Sequence, residues 1–162
     1  MAAQHFGVKP DLLACAKGMA SGLPMGAVLM TETVAEGLRP GMLGSTFGGG
    51  PVACAALVAT LDVIRKEGLV ARAARLGQRI QAEALGGVVT AIRGEGLLLG
   101  LDAGPHAAAL KAHLLAQRIL VGGSHDPGIL RLMPPLTLQD RSLDALLQTL
   151  ATFDPALSAT GA

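Results

Sequence analysis

The sequence predicts an α/β protein. Short apolar runs bounded by glycine or proline alternate with longer stretches whose leucines and isoleucines recur at helical spacing. Two of the runs, 88–93 and 97–102, flank Gly94-Glu95-Gly96, the pattern of antiparallel strands joined by a glycine turn. The pattern changes across the glycines between 68 and 86. That change divides the chain into a first part, 1–68, and a second part, 69–162.

In order, Gln4 to Gly7 has the form of a helix end stopped by glycine, and Lys9-Pro10-Asp11 that of a turn. Leu12 to Cys15 is a strand candidate, and Met25 to Met30 is a second, reached through Gly22-Leu23-Pro24. Thr31 or Thr33 is placed to cap a short helix over Val34 to Leu38. Residues 41–51 form a glycine-rich loop, and Pro51 stands where a first helical residue belongs. Helices follow over Pro51 to Glu67 and Val70 to Leu85, the latter with Leu76 and Ile80 on one side and Arg72, Arg75, Arg79 and Glu83 on the other. After the hairpin, the pattern predicts a helix over Pro105 to Arg118 and short strands beginning at Ile119 and over Ile129 to Met133, the last stopped by Pro134-Pro135. A final helix runs through Ser142 to Phe153, capped by Thr137 or Asp140, with a loose tail from Asp154. The first part reads as strands and helices from the edge of a mixed, mainly parallel sheet. The second reads as a small domain with an antiparallel sheet covered by helices.

Composition narrows the function. The 162 residues carry a net charge of +1, so neither nucleic acid nor an anionic membrane is an expected partner. No Trp or Tyr is present, which leaves little for base stacking. Gly, Pro and charges interrupt every apolar run, so none reads as a membrane span. Charged residues are only 15% and mean hydropathy is +0.50, which predicts apolar surface meant to be covered and a chain that self-associates in isolation. Cys15 and Cys54 lie in apolar runs and read as small buried thiols; the four histidines show no metal-ligand spacing with them. No metal site is expected, and a reducing cytoplasm is the default compartment.

Three places carry possible chemistry. Lys17 sits between an apolar run and a glycine-rich turn, with no other charge between Asp11 and Glu32. Desolvation there favours the neutral amine, which attacks carbonyls. On spacing and composition alone, a lysine that reaches out to solvent is the simpler reading. In Gly44-Ser45-Thr46-Phe47-Gly48-Gly49-Gly50-Pro51, hydroxyls and free amides precede a helix start, which suits a phosphate; a plain turn accounts for it equally. No Lys-Ser or Lys-Thr follows these glycines, so it is no Walker loop. Arg131, between apolar strand residues, asks for a carboxylate or phosphate partner unless its strand is an edge facing water. Arg93 and Glu95 read as a local ion pair, and Asp62, Glu67, Glu83, Asp140 and Asp144 as solvated helix faces. There is no Gly-x-Ser-x-Gly elbow for a nucleophilic triad.

Together, four stretches resemble the class III pyridoxal-phosphate-dependent aminotransferases. They are Gly7-Val8-Lys9-Pro10-Asp11; Ala16-Lys17-Gly18 with Gly22-Leu23-Pro24-Met25-Gly26-Ala27; Ser45-Thr46-Phe47-Gly48-Gly49 with Pro51; and Arg93-Gly94-Glu95-Gly96-Leu97 followed by Arg131-Leu132-Met133-Pro134-Pro135. The Ser-Thr-Phe-Gly-Gly form looks most like the acetylornithine and succinylornithine branch. The resemblance implies the C-terminal portion of a type I pyridoxal-phosphate transferase fold. Residues 1–68 would then be the remnant of the large cofactor domain and 69–162 the small domain. It implies that Lys17 bonds pyridoxal 5'-phosphate and moves the substrate proton, that Thr46 reaches the cofactor phosphate across a homodimer interface, and that Ser45 lies near substrate. Arg131 would meet a substrate carboxylate or a glutamate gate. The implied reaction moves an amino group from N-acetylornithine to 2-oxoglutarate in arginine biosynthesis. The alternatives are an ornithine or 4-aminobutyrate type of ω-aminotransferase, or an inactive remnant serving as a folding or interaction unit. Two departures matter: Gly50 stands where the family usually has Asn, and the family's Asp-Glu-Val-Gln stretch, whose aspartate pairs with the cofactor ring nitrogen, has no counterpart in the chain.

Overall fold

The computed structural model describes residues 2–46 and 48–158. Contacts group them into two compact units, Met1–Glu67 and Gly68–Ala162. The division falls one residue before the junction expected at 68/69, because Gly68 is the N-cap of the first helix of the second unit, its carbonyl accepting the Arg72 N–H at 3.0 Å.

The first unit opens with α1 (Ala2–His5), closed by Gly7 at φ 66; Val8 N–H donates to the Ala3 carbonyl and Gly7 N–H to that of Gln4. Strand β1 (Leu12–Cys15) pairs antiparallel with β2 (Ala27–Met30), Leu12 opposite Met30 and Cys15 opposite Ala27. The parallel pairing expected in this part does not occur among the described residues, since these two strands pair only with each other. The short helix α2 (Glu32–Ala35) starts earlier than the sequence suggested, and Thr31 at its N-cap makes no side-chain cap bond. Helix α3 (Pro51–Lys66) begins on the expected proline.

Little of this unit is packed. Ala20 is its one fully buried residue among those described, and α3 buries none, leaving Val52, Val58 and Leu61 exposed. A helix apolar on all sides ordinarily has neighbours on more than one of them. For the same reason Cys15 and Cys54 are half-buried free thiols rather than the buried ones expected.

The second unit is a two-layer α/β sandwich. It comprises α4 (Leu69–Glu83), β3 (Ala91–Glu95), β4 (Leu98–Asp102), a 3-10 turn (Gly104–His106), α5 (Ala107–Ala116), β5 (Gly122–Gly123), β6 (Ile129–Leu132), α6 (Asp140–Ala151) and α7 (Pro155–Ser158). The four strands form an antiparallel sheet in the order β3-β4-β6-β5. Because side chains alternate along a strand, Leu99, Leu101, Leu130 and Leu132 share one face. There they form one core with Leu76 and Ile80 of α4, Leu110 and Leu114 of α5, and Leu143, Leu146, Leu147 and Leu150 of α6. The opposite face carries a cross-strand row, Arg93, Gly100, Arg131 and Gly122, each opposite the next.

Several local expectations change. The helix expected over 105–118 is a 3-10 turn followed by α5, and it stops at Ala116. Neither Thr137 nor Asp140 caps α6; Gln139 is the N-cap and makes no side-chain cap bond. Asp140 instead lies within reach of Arg72 and Arg75 of α4, at 3.6 and 3.1 Å, and Asp144 is 2.7 Å from Arg79, which also pairs with Glu83 at 2.7 Å. These acids tie α4 to α6 rather than facing water alone. Arg93 pairs with Asp102 across the hairpin at 3.1 Å, a diagonal contact on the sheet face, not with its neighbour Glu95. The chain after Asp154 is not loose throughout, because α7 follows and Asp154 accepts the Ala156 N–H at 2.9 Å.

Helix α4 approaches the hairpin turn backbone to backbone. Gly77 is buried, and a Cβ placed there would collide with the carbonyl of Gly96. That atom belongs to the main chain of a tight turn and cannot swing aside as a flexible side chain would. Gly77→Ala is expected to destabilise the second unit by about 2 kcal/mol or more, measured as a fall in the urea midpoint. The hydrogen bond from Arg75 holds the Asp140 carboxyl below the usual carboxylate range, outweighing its partial desolvation. A depressed folded-state value means the stabilisation is present above the unfolded carboxylate value and lost as pH falls through the folded one. Stability should therefore drop on acidification below about pH 4, and Asp140→Asn should flatten that part of the profile. Added salt should weaken the contribution, which denaturant midpoints across pH and ionic strength will show.

Candidate functional site

Lys17 lies two residues after the end of β1, in a turn whose backbone is set by local bonds: Ser21 N–H donates to the Gly18 carbonyl and Leu23 N–H to that of Ala20, both at 3.2 Å. Lys17 has φ 63 and Ser21 φ 49, both in the left-handed region. Holding a residue with a Cβ there costs about 1–2 kcal/mol, and such conformations concentrate where function requires them. The antiparallel pairing of β1 with β2 brackets the turn and fixes where it emerges.

Lys17 is exposed, in keeping with the simpler of the two readings of its surroundings and not with the desolvated one. It makes no hydrogen bond or ion pair among the described residues.

Ser45 and Thr46 are exposed in the loop before α3. Gly48 N–H donates to the Ser45 carbonyl at 3.1 Å, which bends the loop into the helix start. Phe47 lies outside the described residues. Gly50 is the N-cap and offers no side-chain cap, so the first amides of α3 keep their hydrogen-bonding capacity. Hydroxyls next to open amides at the start of a 16-residue helix favour an anion.

Lys17, Ser45 and Thr46 belong to the first unit and Arg131 to the second. Arg131 lies in β6 between buried Leu130 and Leu132, with its own side chain exposed. It has no carboxylate partner among the described residues, and the edge-strand alternative does not hold either, because β6 is an inner strand paired with β4 on one side and β5 on the other. Its guanidinium rests on Gly122 of the neighbouring strand: Nε and Nη2 lie 3.2 and 3.3 Å from where a Gly122 Cβ would sit. The Gly122-Gly123 pair was visible in the sequence, but nothing there indicated that a bare strand supports an arginine.

Known proteins resolve what this geometry belongs to. A family model described as aminotransferase class-III matches residues 1–153. The chain belongs to the class III aminotransferase family. Acetylornithine aminotransferase of Mycobacterium tuberculosis is 43% identical over 161 residues, covering 96% of this chain and 40% of that protein. Among solved structures, ornithine aminotransferase from Toxoplasma gondii superposes with a TM-score of 0.84 at 32% identity, covering 93% of this chain and 39% of that one. Acetylornithine aminotransferase from Elizabethkingia anophelis gives 0.82 at 33%, covering 94% and 44%. This class III aminotransferase chain thus spans about two fifths of the length of the curated relatives it matches.

The family's cofactor is pyridoxal phosphate. The donors of the first unit fit it: an unpaired amine, two hydroxyls and the open amides of α3. Among the described residues, no helix is long and apolar enough to cross a membrane.

Proposed function

We propose that this chain supplies the lysine, the phosphate loop and the small domain of an enzyme that transfers an amino group from N-acetylornithine to 2-oxoglutarate, a step of arginine biosynthesis. The observation that carries the reading is the match, over 96% of the chain, to a relative named acetylornithine aminotransferase. In this reading the Met1–Glu67 unit belongs to the cofactor domain and the Gly68–Ala162 unit is the small domain. The working form is a cytoplasmic homodimer.

Pyridoxal phosphate, when bound, supplies the electron sink that makes the substrate carbon acidic. The chain's own residues hold and time the reaction. The Lys17 amine would hold the cofactor and, when free, would take up and return the substrate proton at Nζ. Its strained turn fixes where Nζ can reach. Thr46 would donate its hydroxyl, across the homodimer interface, to the phosphate of the cofactor held by the other protomer. Ser45 lies against the substrate. Arg131 receives a substrate carboxylate, which its guanidinium can hold through two parallel bonds.

A second reading, an ornithine type of aminotransferase, is favoured by one observation, the TM-score of 0.84 to the Toxoplasma gondii enzyme. A panel of amino donors offered with 2-oxoglutarate separates the two.

Borohydride reduction of the purified chain with pyridoxal phosphate should trap one cofactor per chain on the peptide holding Lys17, and Lys17→Ala should trap none there. Equal labelling of Lys9, Lys66 and Lys111 would remove Lys17 from the role and leave the inactive-remnant reading. Thr46→Ala should retain the cofactor about tenfold or more less tightly, the loss of one hydrogen bond to a charged group, read by fluorescence titration.

A further inference from the structure

The edge strand β5 consists of two glycines, and only one of them faces an arginine. It pairs with β6 alone, Gly122 opposite Arg131 and Gly123 opposite Leu130. The backbone does not call for glycine at 122, because its φ is not left-handed. Glycine in a strand gives up packing and chain entropy, and it often marks a close approach by another group. At 122 that group is the Arg131 side chain. Chain neighbours aside, the three atoms nearest to a Cβ there would all belong to Arg131: Nε at 3.2 Å, Nη2 at 3.3 Å and the carbonyl oxygen at 3.4 Å.

The other flank of Arg131 is occupied. Gly100 of β4 also stands opposite Arg131, but a Cβ at Gly100 would meet Ile129 Cγ2 at 3.0 Å and no atom of Arg131 within 4 Å. Ile129 fills the space above Gly100, and the guanidinium lies over β5 instead. Arg131 makes no hydrogen bond or ion pair among the described residues, so no polar contact holds it in this direction. A long side chain without such a bond ordinarily spreads over several rotamers. What confines this one is shape, with Ile129 on one flank and a bare strand on the other.

We propose that Gly122 is a positioning residue that acts through Arg131: its missing side chain leaves the place in which the guanidinium lies, and so sets the direction from which a carboxylate can take both parallel N–H bonds. A bidentate pair needs the donor fork aimed at the ligand, so direction decides between two bonds and one. The inference rests on the proposed reading of Arg131 as a carboxylate contact and adds what aims it. A methyl group at 122 displaces the guanidinium rather than the strand, because the far end of an arginine moves more easily than a sheet-paired backbone. Gly123 has no such part. Its Cβ would point to the opposite face of the sheet and come no nearer than 4.0 Å to Lys111 Nζ.

The test follows the Arg131 Nε–H signal of the full chain by NMR, identified by its loss in Arg131→Ala. In the wild type its heteronuclear NOE should approach that of the backbone amides, whereas that of Arg118, also without a partner, should be averaged. Gly122→Ala should bring Arg131 to the Arg118 level while the Leu130 and Leu132 amide signals stay; Gly123→Ala should leave Arg131 as it is. In thermal unfolding, Gly122→Ala should be tolerated better on an Arg131→Ala background than in the wild type, because no guanidinium then has to move. Titration with 2-oxoglutarate at fixed ionic strength should shift the Arg131 signal, and Gly122→Ala should weaken that response about tenfold, the loss of one of two bonds to a charged group. The inference is overturned by an Arg131 signal already averaged in the wild type, unchanged by Gly122→Ala or changed equally by Gly123→Ala. Equal effects of Gly122→Ala on both backgrounds, an equal response to 2-oxoglutarate with and without it, or a Gly122→Ala chain that does not fold would overturn it as well. If the NOE and unfolding results hold but 2-oxoglutarate moves nothing in the wild type, Gly122 still orients Arg131, and the carboxylate reading of Arg131 is what fails.

Discussion

The approach of α4 to the turn of the β3–β4 hairpin is the contact on which the second unit depends. Gly77 lies so close to the carbonyl of Gly96 that a Cβ on it would collide with that oxygen. At that distance Leu76 and Ile80, on either side of the contact, are fully buried in the leucine core of the sheet. The arginines one turn away then fall opposite α6, and Arg72, Arg75 and Arg79 meet Asp140 and Asp144. One small residue thereby sets both an apolar layer and a polar rim. The rim is exposed and screened by salt, so the leucines carry the stability and the ion pairs mainly fix the register of the two helices.

With three helices gathered on one face, the other face of the sheet carries the row of Arg93, Gly100, Arg131 and Gly122. The register that buries Leu130 and Leu132 turns Arg131 outward, because neighbours along a strand point to opposite sides. The same register sets Gly100 and Gly122 on either side of it, so no side chain crowds the guanidinium within its own row. The first unit follows a different logic. It has almost no core of its own, and its candidate site rests on local geometry: a left-handed lysine after a strand, and a loop that brings two hydroxyls to the start of a helix. Its exposed valines and leucines form apolar surface of the kind that packs against other protein.

Much of this was legible in the residues. Leu12 to Cys15 and the helix from Pro51 stand where the sequence placed them, because proline, glycine and short apolar runs act on their own neighbourhood. The hairpin around Gly94 to Gly96 was equally local. The helix caps were not: Thr31 stands at an N-cap and Thr137 near one, yet neither hydroxyl turns back to an amide. The partner of Arg93 was missed because the nearest acid in sequence, Glu95, is not the acid that the hairpin folds beside it, Asp102.

By itself the sequence determined the α/β class, the order of its elements, the family, and the lysine and loop that identify it, since each rests on spacing within a few residues or on motifs along the chain. Only the tertiary structure decided which charges meet and which stay unpaired. Arg79 is shared between Glu83 and Asp144, Arg131 lies on Gly122, and Arg118 is kept in a left-handed turn at the end of α5. The physical reason is range. Backbone propensity acts through adjacent residues, whereas an ion pair or a shared cleft requires groups far apart in the chain to be brought within a few ångströms, and here packing of the leucine core does that.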